Sequence, residues 1–509
     1  MAAKKLPQQK TTILAKILGS NWFFAGIIAF FLFQTIWIAL SAIYPMLFDE
    51  EYHLGIIDIY SRQLLPFIHL QPPEASFHGD ITRYGSYMFH YLMSFPYRLI
   101  QIFGADLQTT IITLRIICIS FVVAGLFVFR AFLLRAGLTK SLTNLSIATS
   151  TMIPIVPFAL AQINYDSLAF LLVATIFYIS IRAVENTKNQ AIWIILLLAT
   201  SSIASLVKFT ILPIAFVNVL FVLIVLWRKY KSKLPARLFN QTKNLSKLTI
   251  ICSVLFLLLA VGLFVERYGT NIIQYRTIEP KCDRLHSDES CIQYTVWRRD
   301  TTWHQENLES GKKRNNPLEY TYISWVPDVY TDFTGVAAFT YDDPNQALQI
   351  RYLPTAIKWS PGTPIMRIAS WAVLVLAILA LIFSWRKLPN RRLRYLTIGT
   401  LGVFIVSMWV RNYTDYMYIG TVTATQGRYF IPILIPIIAV VGLAFRHYLT
   451  RMRYQTLFLL ACVLIFMQGG GVMNYMLYSS PQWYWLDGRQ AITTANESAN
   501  TFLRLFTIP

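Results

Sequence analysis

Apolar runs of about 20 residues recur along almost the whole chain, and that is the length an α-helix needs to cross a bilayer. They predict about eleven spans, near residues 21–42, 109–131, 141–161, 166–183, 190–207, 209–227, 247–267, 365–385, 395–411, 428–446 and 454–475. Two polar stretches, 43–108 and 268–364, are too long to be simple connectors, and loops of that size usually carry function. The pattern divides the chain into four parts. An N-terminal transmembrane module over 1–267 holds the first long loop, and a large loop follows over 268–364. A C-terminal transmembrane module covers 365–475, and a polar, aromatic tail covers 476–509. The expected fold class is an all-α polytopic membrane protein.

Composition narrows the class. Of 509 residues, 55% are hydrophobic and only 14% charged, little more than half the charged share of a soluble domain. This excludes a cytosolic enzyme, a disordered chain and a disulfide scaffold. The net charge of +20 would suggest nucleic acid in a soluble protein. Here the cations gather in alternate connections: Arg130, Arg135 and Lys140; Arg182 and Lys188; the run from Arg228 to Lys247; Arg386 to Arg394; and Arg446, Arg451 and Arg453. That is the positive-inside pattern, so membrane lipids and not nucleic acid are the expected partner. It puts the N-terminus in the cytoplasm, and both long loops and the C-terminus outside a cell membrane. The opening MAAKKLPQQK runs into the first span without a small-residue cleavage pattern, and reads as a cytoplasmic tail with a retained first helix.

Cysteine usage agrees. Cys118, Cys252 and Cys462 fall in apolar spans, where cysteine is a small hydrophobe. Cys282 and Cys291 lie nine apart in KCDRLHSDESC, on the oxidising face, and are expected to form a local bridge. The sequence holds no Walker loop or dinucleotide fingerprint, so an ATP-driven pump encoded by this chain alone is not expected.

Chemistry concentrates just past the first span, in Asp49-Glu50-Glu51-Tyr52-His53. Carboxylates this close to lipid are costly unless they face a polar cavity. One of them could act as a general base. Asp49, Glu50 and His53 together could hold a divalent cation such as Mg or Mn; an acidic loop end is the plainer alternative. A second acid, Asp166, lies in the short outer turn Asn164-Tyr165-Asp166, where it could equally cap the next helix. Lys208 ends one span and Arg428 opens another on that same face. Both could snorkel to headgroups, but a cationic pair at this depth also suits a lipid-linked phosphate, which guanidinium binds bidentately. Gly427 would allow close backbone approach. Arg115, inside the second span, is expected to pair with an acid in a structural role. Trp297 and the other aromatics of the second loop and tail could stack on sugars or form an interfacial belt.

These residues carry a resemblance. The acidic motif after the first span resembles the catalytic loop of GT-C superfamily membrane glycosyltransferases. Asp49 to His53 is similar to the Asp-Glu-x-x-His element of a bacterial family of uncharacterised polytopic proteins related to that superfamily. Asn164-Tyr165-Asp166, the Lys208 span and Gln426-Gly427-Arg428-Tyr429-Phe430 with the following Pro432 look like that family's landmarks, in the same order, over nearly the whole chain. The resemblance implies a GT-C-like fold and inverting transfer of a sugar, hexosyl or pentosyl, from a polyprenyl-phosphate donor. The acceptor would be a cell-envelope glycan, lipid or protein on the outer face. Asp49 or Glu50 would serve as base, with His53 and Asp166 assisting. Lys208, Gln426, Gly427, Arg428 and Tyr429 would form the phosphate-side contacts. A transporter or flippase of lipid-linked sugars would also want embedded acids and cations. Repeated halves and broken helices, which would favour it, are not evident in the sequence.

Overall fold

The computed structural model describes residues 12–185, 188–243, 245–334, 364–467 and 469–504. The expectations for the opening tail, for 335–363 of the second long loop and for the last five residues lie outside them. The described chain is helical. Its one β pairing is an isolated bridge between Ala42 and Tyr484.

Helix α1 (Asn21–Ser41) is the first span, and Ser20 caps it by accepting from the Phe23 amide at 3.0 Å. The first long loop carries α2 (Glu50–Ser61) and α3 (Met88–Ile102). Helix α4 (Leu107–Arg135) returns across, capped by Asp106. Then follow α5 (Lys140–Met152), α6 (Tyr165–Glu185), α7 (Gln190–Val207), α8 (Leu212–Tyr230) and α9 (Lys247–Phe264). The second long loop contributes α10 (Thr295–Glu309). The C-terminal module holds α11 (Arg391–Ile419), α12 (Ile431–Tyr448) and α13 (Arg451–Met467), and the tail ends in α14 (Arg489–Arg504).

Among the described residues, eight helices are long and apolar enough to cross a membrane: α1, α4, α6, α7, α8, α9, α11 and α12 with their flanking turns. The chain is thus an all-α polytopic membrane protein. Two of the eleven expected spans take other forms. The run near 141–161 is polar in its first half and breaks at Pro154, where the missing amide and the ring stop α5. The run near 365–385 forms the helix expected there, Pro364–Ser384, whose part from Trp371 to Ser384 is apolar. The run near 454–475 contains α13, 17 residues long, and then turns into a separate short helix, Met473–Tyr478.

The core forms where α4 packs on α6, α6 on α7, and α8 on α11. It is filled by side chains such as Phe129, Phe170 and Phe177 from α4 and α6. Helix α9 packs on α7 but leaves Leu248, Ile251, Leu255 and Leu258 exposed, the pattern of a lipid-facing span. The tail is tied to the end of α1: Trp37 Nε1 donates to Asn496 at 3.2 Å, and the Trp485 amide donates to the Ser41 carbonyl.

Candidate functional site

The chain enters α2 through two consecutive left-handed residues, Phe48 (φ +66°) and Asp49 (φ +71°). Neither is glycine, so the backbone there is strained by roughly 1–3 kcal/mol per residue and must be held. Two side chains hold it. Asn164 Nδ2 and Arg428 Nη1 both donate to the Phe48 carbonyl, at 2.8 and 3.0 Å. Aspartate is a favoured N-cap, yet Asp49 makes no side-chain cap bond to α2. Its carboxylate is turned instead to Arg428, whose Nη2 donates to Oδ2 at 2.7 Å. The guanidinium is buried, while the Asp49 side chain stays 34% exposed.

Beside this pair lies a second one. Asn164 Oδ1 accepts from the Asp166 amide at 2.9 Å, so Asn164 does the capping that sequence assigned as an alternative to Asp166. Asp166 is released to pair with Lys208, just past the end of α7. Both are buried, and the ammonium sits between two phenol rings, 4.6 Å from the centroid of Tyr165 and 4.7 Å from that of Tyr429. Tyr429 also lies beneath the Arg428 guanidinium at 5.6 Å. The four landmarks, spread over 379 positions of the chain from Asp49 to Arg428, meet at one end of the bundle.

Glu50 does not join them. Its Oε1 accepts from Arg115 Nε at 2.8 Å and the Ile163 amide at 3.1 Å, and its Oε2 from Arg115 Nη2 at 2.7 Å and the Met46 amide at 2.8 Å. Four bonds use the acceptor capacity of a carboxylate. Arg115 also donates to the carbonyls of Ala39, Ala42 and Ile43, closing the C-terminal end of α1. Both partners are fully buried. Glu50, read from sequence as base or cation ligand, is therefore placed as the anchor of the α1–α2 turn, with Arg115 in the structural role expected for it.

His53 Nδ1 is hydrogen-bonded to His90 Nε2 of α3 at 2.9 Å. Burial pushes both imidazoles down, His90 to about 3, and the charged neighbours Arg428 and Lys208 push His53 further the same way. The other ring nitrogen, His53 Nε2, is buried and has no hydrogen-bond partner among the described residues. Among the described residues no group of three or more His, Cys, Asp or Glu side chains is arranged to hold a metal ion. Asp49, Glu50 and His53 do not fit a shared cation, because Glu50 is committed to Arg115.

In front of this layer opens a cavity of about 470 Å³. Asp49, Tyr52, His53 and Tyr165 form its inner wall. Trp297 and Asp300 of α10 face it, with Arg411 and Asp415 of α11 at the side. Lys208, Arg428, Asp166, Gln426, Gly427 and Tyr429 do not line it; they form the layer behind. Sequence reasoning missed the cations that do line it, Arg83, Lys281 and Arg411. Arg83 is spent on Asn271, Glu266 and two backbone carbonyls. Arg411 is held more loosely, with Nη2 3.4 Å from Glu279 Oε2 and its side chain 46% exposed. The signal for it was there: Arg411 and Asp415 stand four apart, on one helix face, at the end of an apolar run. The Cys282–Cys291 disulfide forms, with Cα atoms 5.7 Å apart, and packs against Tyr294 and Trp297 on the outer wall.

Compared with known proteins, the chain matches no protein-family model and no curated protein.

Proposed function

We propose that this chain is a GT-C-like membrane glycosyltransferase that moves a sugar from a polyprenyl-phosphate carrier to an acceptor hydroxyl on the outer face of the cell membrane. One observation carries the reading. Of the two buried-side carboxylates offered as bases by the sequence, Asp49 alone presents itself to a cavity, on a strained backbone that Arg428 and Asn164 hold in place. Strain of this kind collects at functional sites.

In the proposed reaction Asp49 takes the proton of the acceptor hydroxyl as its oxygen attacks the anomeric carbon. The bond from that carbon to the phosphate oxygen breaks, and the carrier phosphate leaves with the electron pair. A positioned base of this sort contributes typically 10²–10⁴-fold. Arg411 and Lys281, which face the cavity, are the cations a donor phosphate would meet first. Arg428 and Lys208 act from behind, by fixing Asp49, Asp166 and the Tyr165–Tyr429 wall. The proposed topology has the N-terminus in the cytoplasm and the cavity outside.

The test is transfer of a radiolabelled sugar from a lipid-linked donor by the purified protein in liposomes. Activity lost in Asp49→Asn and kept in wild type supports the reading. Uptake or flipping of the donor without any new glycosidic bond would move the assignment to a transporter.

A further inference from the structure

The cavity carries more charge than the proposed transfer step uses. Six lining side chains are carboxylates, Asp49, Asp80, Glu279, Asp283, Asp300 and Asp415, against the three cations named above. Several are already matched: Asp49 by Arg428, Glu279 by Arg411, Asp300 by Arg299, and Arg83 by Glu266. Asp283 and Asp415 have no ion-pair partner among the described residues; Asp80 has only the His286 imidazole, at 3.0 Å, besides hydrogen bonds from the Thr82 hydroxyl and the Thr82 and Arg83 amides. Against these three stands Lys281, whose ammonium rests 4.6 Å from the centroid of the Tyr418 ring. The wall is acidic in excess.

Two further features point to a ligand. His53, only 1% exposed, lines the cavity with an Nε2 that no described residue satisfies, and a buried polar atom left unpaired costs about 1–3 kcal/mol until a ligand group meets it. With Nδ1 occupied by His90, Nε2 suits a single hydroxyl. Trp297, held against the disulfide, stacks on no other ring among the described residues and lines the cavity.

We propose that the cavity is a saccharide site for a ring bearing hydroxyl or amino groups and no anionic substituent. His53 Nε2 takes one hydroxyl, Trp297 lies along the apolar face of the ring, and Asp283 and Asp415 receive hydroxyl or ammonium hydrogens. A uronic acid placed there meets like charge, which a complementary partner avoids. Which ring this is, donor or acceptor, rests on the transferase reading; that a sugar binds does not.

The experiment uses the full chain in nanodiscs with three probes, methyl glucoside, methyl glucosaminide and methyl glucuronide, their dissociation constants read by saturation-transfer NMR. The glucosaminide should bind at least as tightly as the glucoside, and the glucuronide at least about tenfold more weakly, a difference of about 1.4 kcal/mol. Asp283→Asn with Asp415→Asn should bring the glucuronide to within about threefold of the glucoside. Trp297→Phe, which keeps the packing on the disulfide, should retain binding of the neutral probes, whereas Trp297→Ala should weaken all three alike. Absence of binding by all three probes, or a glucuronide bound as tightly as the glucoside by wild type, overturns the inference. Selective binding without transfer from any lipid-linked donor supports the saccharide site and overturns the transferase reading alone.

Discussion

The carboxylate of Asp49 and the guanidinium of Arg428 meet at 2.7 Å across 379 residues of chain. The same guanidinium reaches the Phe48 carbonyl, so one side chain fixes both the proposed base and the strained backbone that carries it. Lysine keeps the charge but has no planar fork to make both bonds. Arg428→Lys should therefore lower transfer by about 10- to 100-fold, the effect of losing one charge-assisted hydrogen bond worth about 1.5–3 kcal/mol. The protein should still extract as a single folded species. Unchanged turnover and donor affinity would remove Arg428 from the site.

Asp49 and Glu50 are neighbours with opposite expectations. Asp49→Asn should cost less stability than Glu50→Gln, because the Asp49 carboxylate is 34% exposed and partly screened, and should cut transfer by about 10²–10⁴-fold. Glu50→Gln leaves Arg115 buried without its counter-charge, which costs about 3–5 kcal/mol. It should appear as lost folded yield and a lowered Tm in detergent. Assay and melting curve on both variants separate the roles. Equal losses of activity at equal stability would contradict them.

Much of this was legible in the chain itself. The apolar period marked the spans, and Asp49, Asn164, Asp166, Lys208 and Arg428 stood out as polar groups where lipid should be. The choice between Asp49 and Glu50 was not legible. Two adjacent acids look alike until a helix 65 residues away supplies Arg115 to one of them. Nor did sequence show that Lys208 and Arg428 are buried behind the cavity, because that depends on the tyrosines flanking them. Arg411 and Asp415 were lost because the apolar run was read as ending near residue 411. Helix α11 in fact continues to Ile419, where Gly420 closes it in the left-handed region (φ +83°).

The His53–His90 pair sets a pH dependence. Both belong to helices of the first long loop, outside the spans, and both are held well below the usual 6.5, His90 at about 3. The unfolded chain protonates them near 6.5, whereas the folded one resists. Unfolded protein thus binds more protons in this window, and stability rises with pH there. The contribution is whole above about pH 6.5 and is lost as pH falls from there towards 3, by at most about 1.4 kcal/mol per pH unit for each histidine. Melting curves from pH 7.5 down to about 4.5 should show a falling Tm, and His90→Gln should flatten the fall. A Tm independent of pH over that range would refute it.

The bridge between Cys282 and Cys291 closes a short loop worth roughly 2–3 kcal/mol in the chain-entropy model. Peptide mass mapping without reductant should recover the pair linked. Cys291→Ser should loosen the wall that holds Trp297 and weaken saccharide binding. Free thiols in protein prepared without reductant would also count against an external second loop.

Reporter fusions test the topology directly. A fusion after Arg237 and one at the C-terminus should report opposite sides of the membrane. The same side for both would overturn the proposed orientation.

The distance along the chain from Asp49 to Arg428 also has a meaning in time. Synthesis proceeds at about 5–20 residues per second, so the acidic segment leaves the ribosome about 20–75 s before the arginine that clamps it. Through that interval the left-handed pair at Phe48 and Asp49 has nothing from α12 to hold it. On the proposed function, a nascent or truncated chain is an inert precursor, and competence arrives late, when α12, the last of the eight long apolar helices among the described residues, brings Arg428 into place.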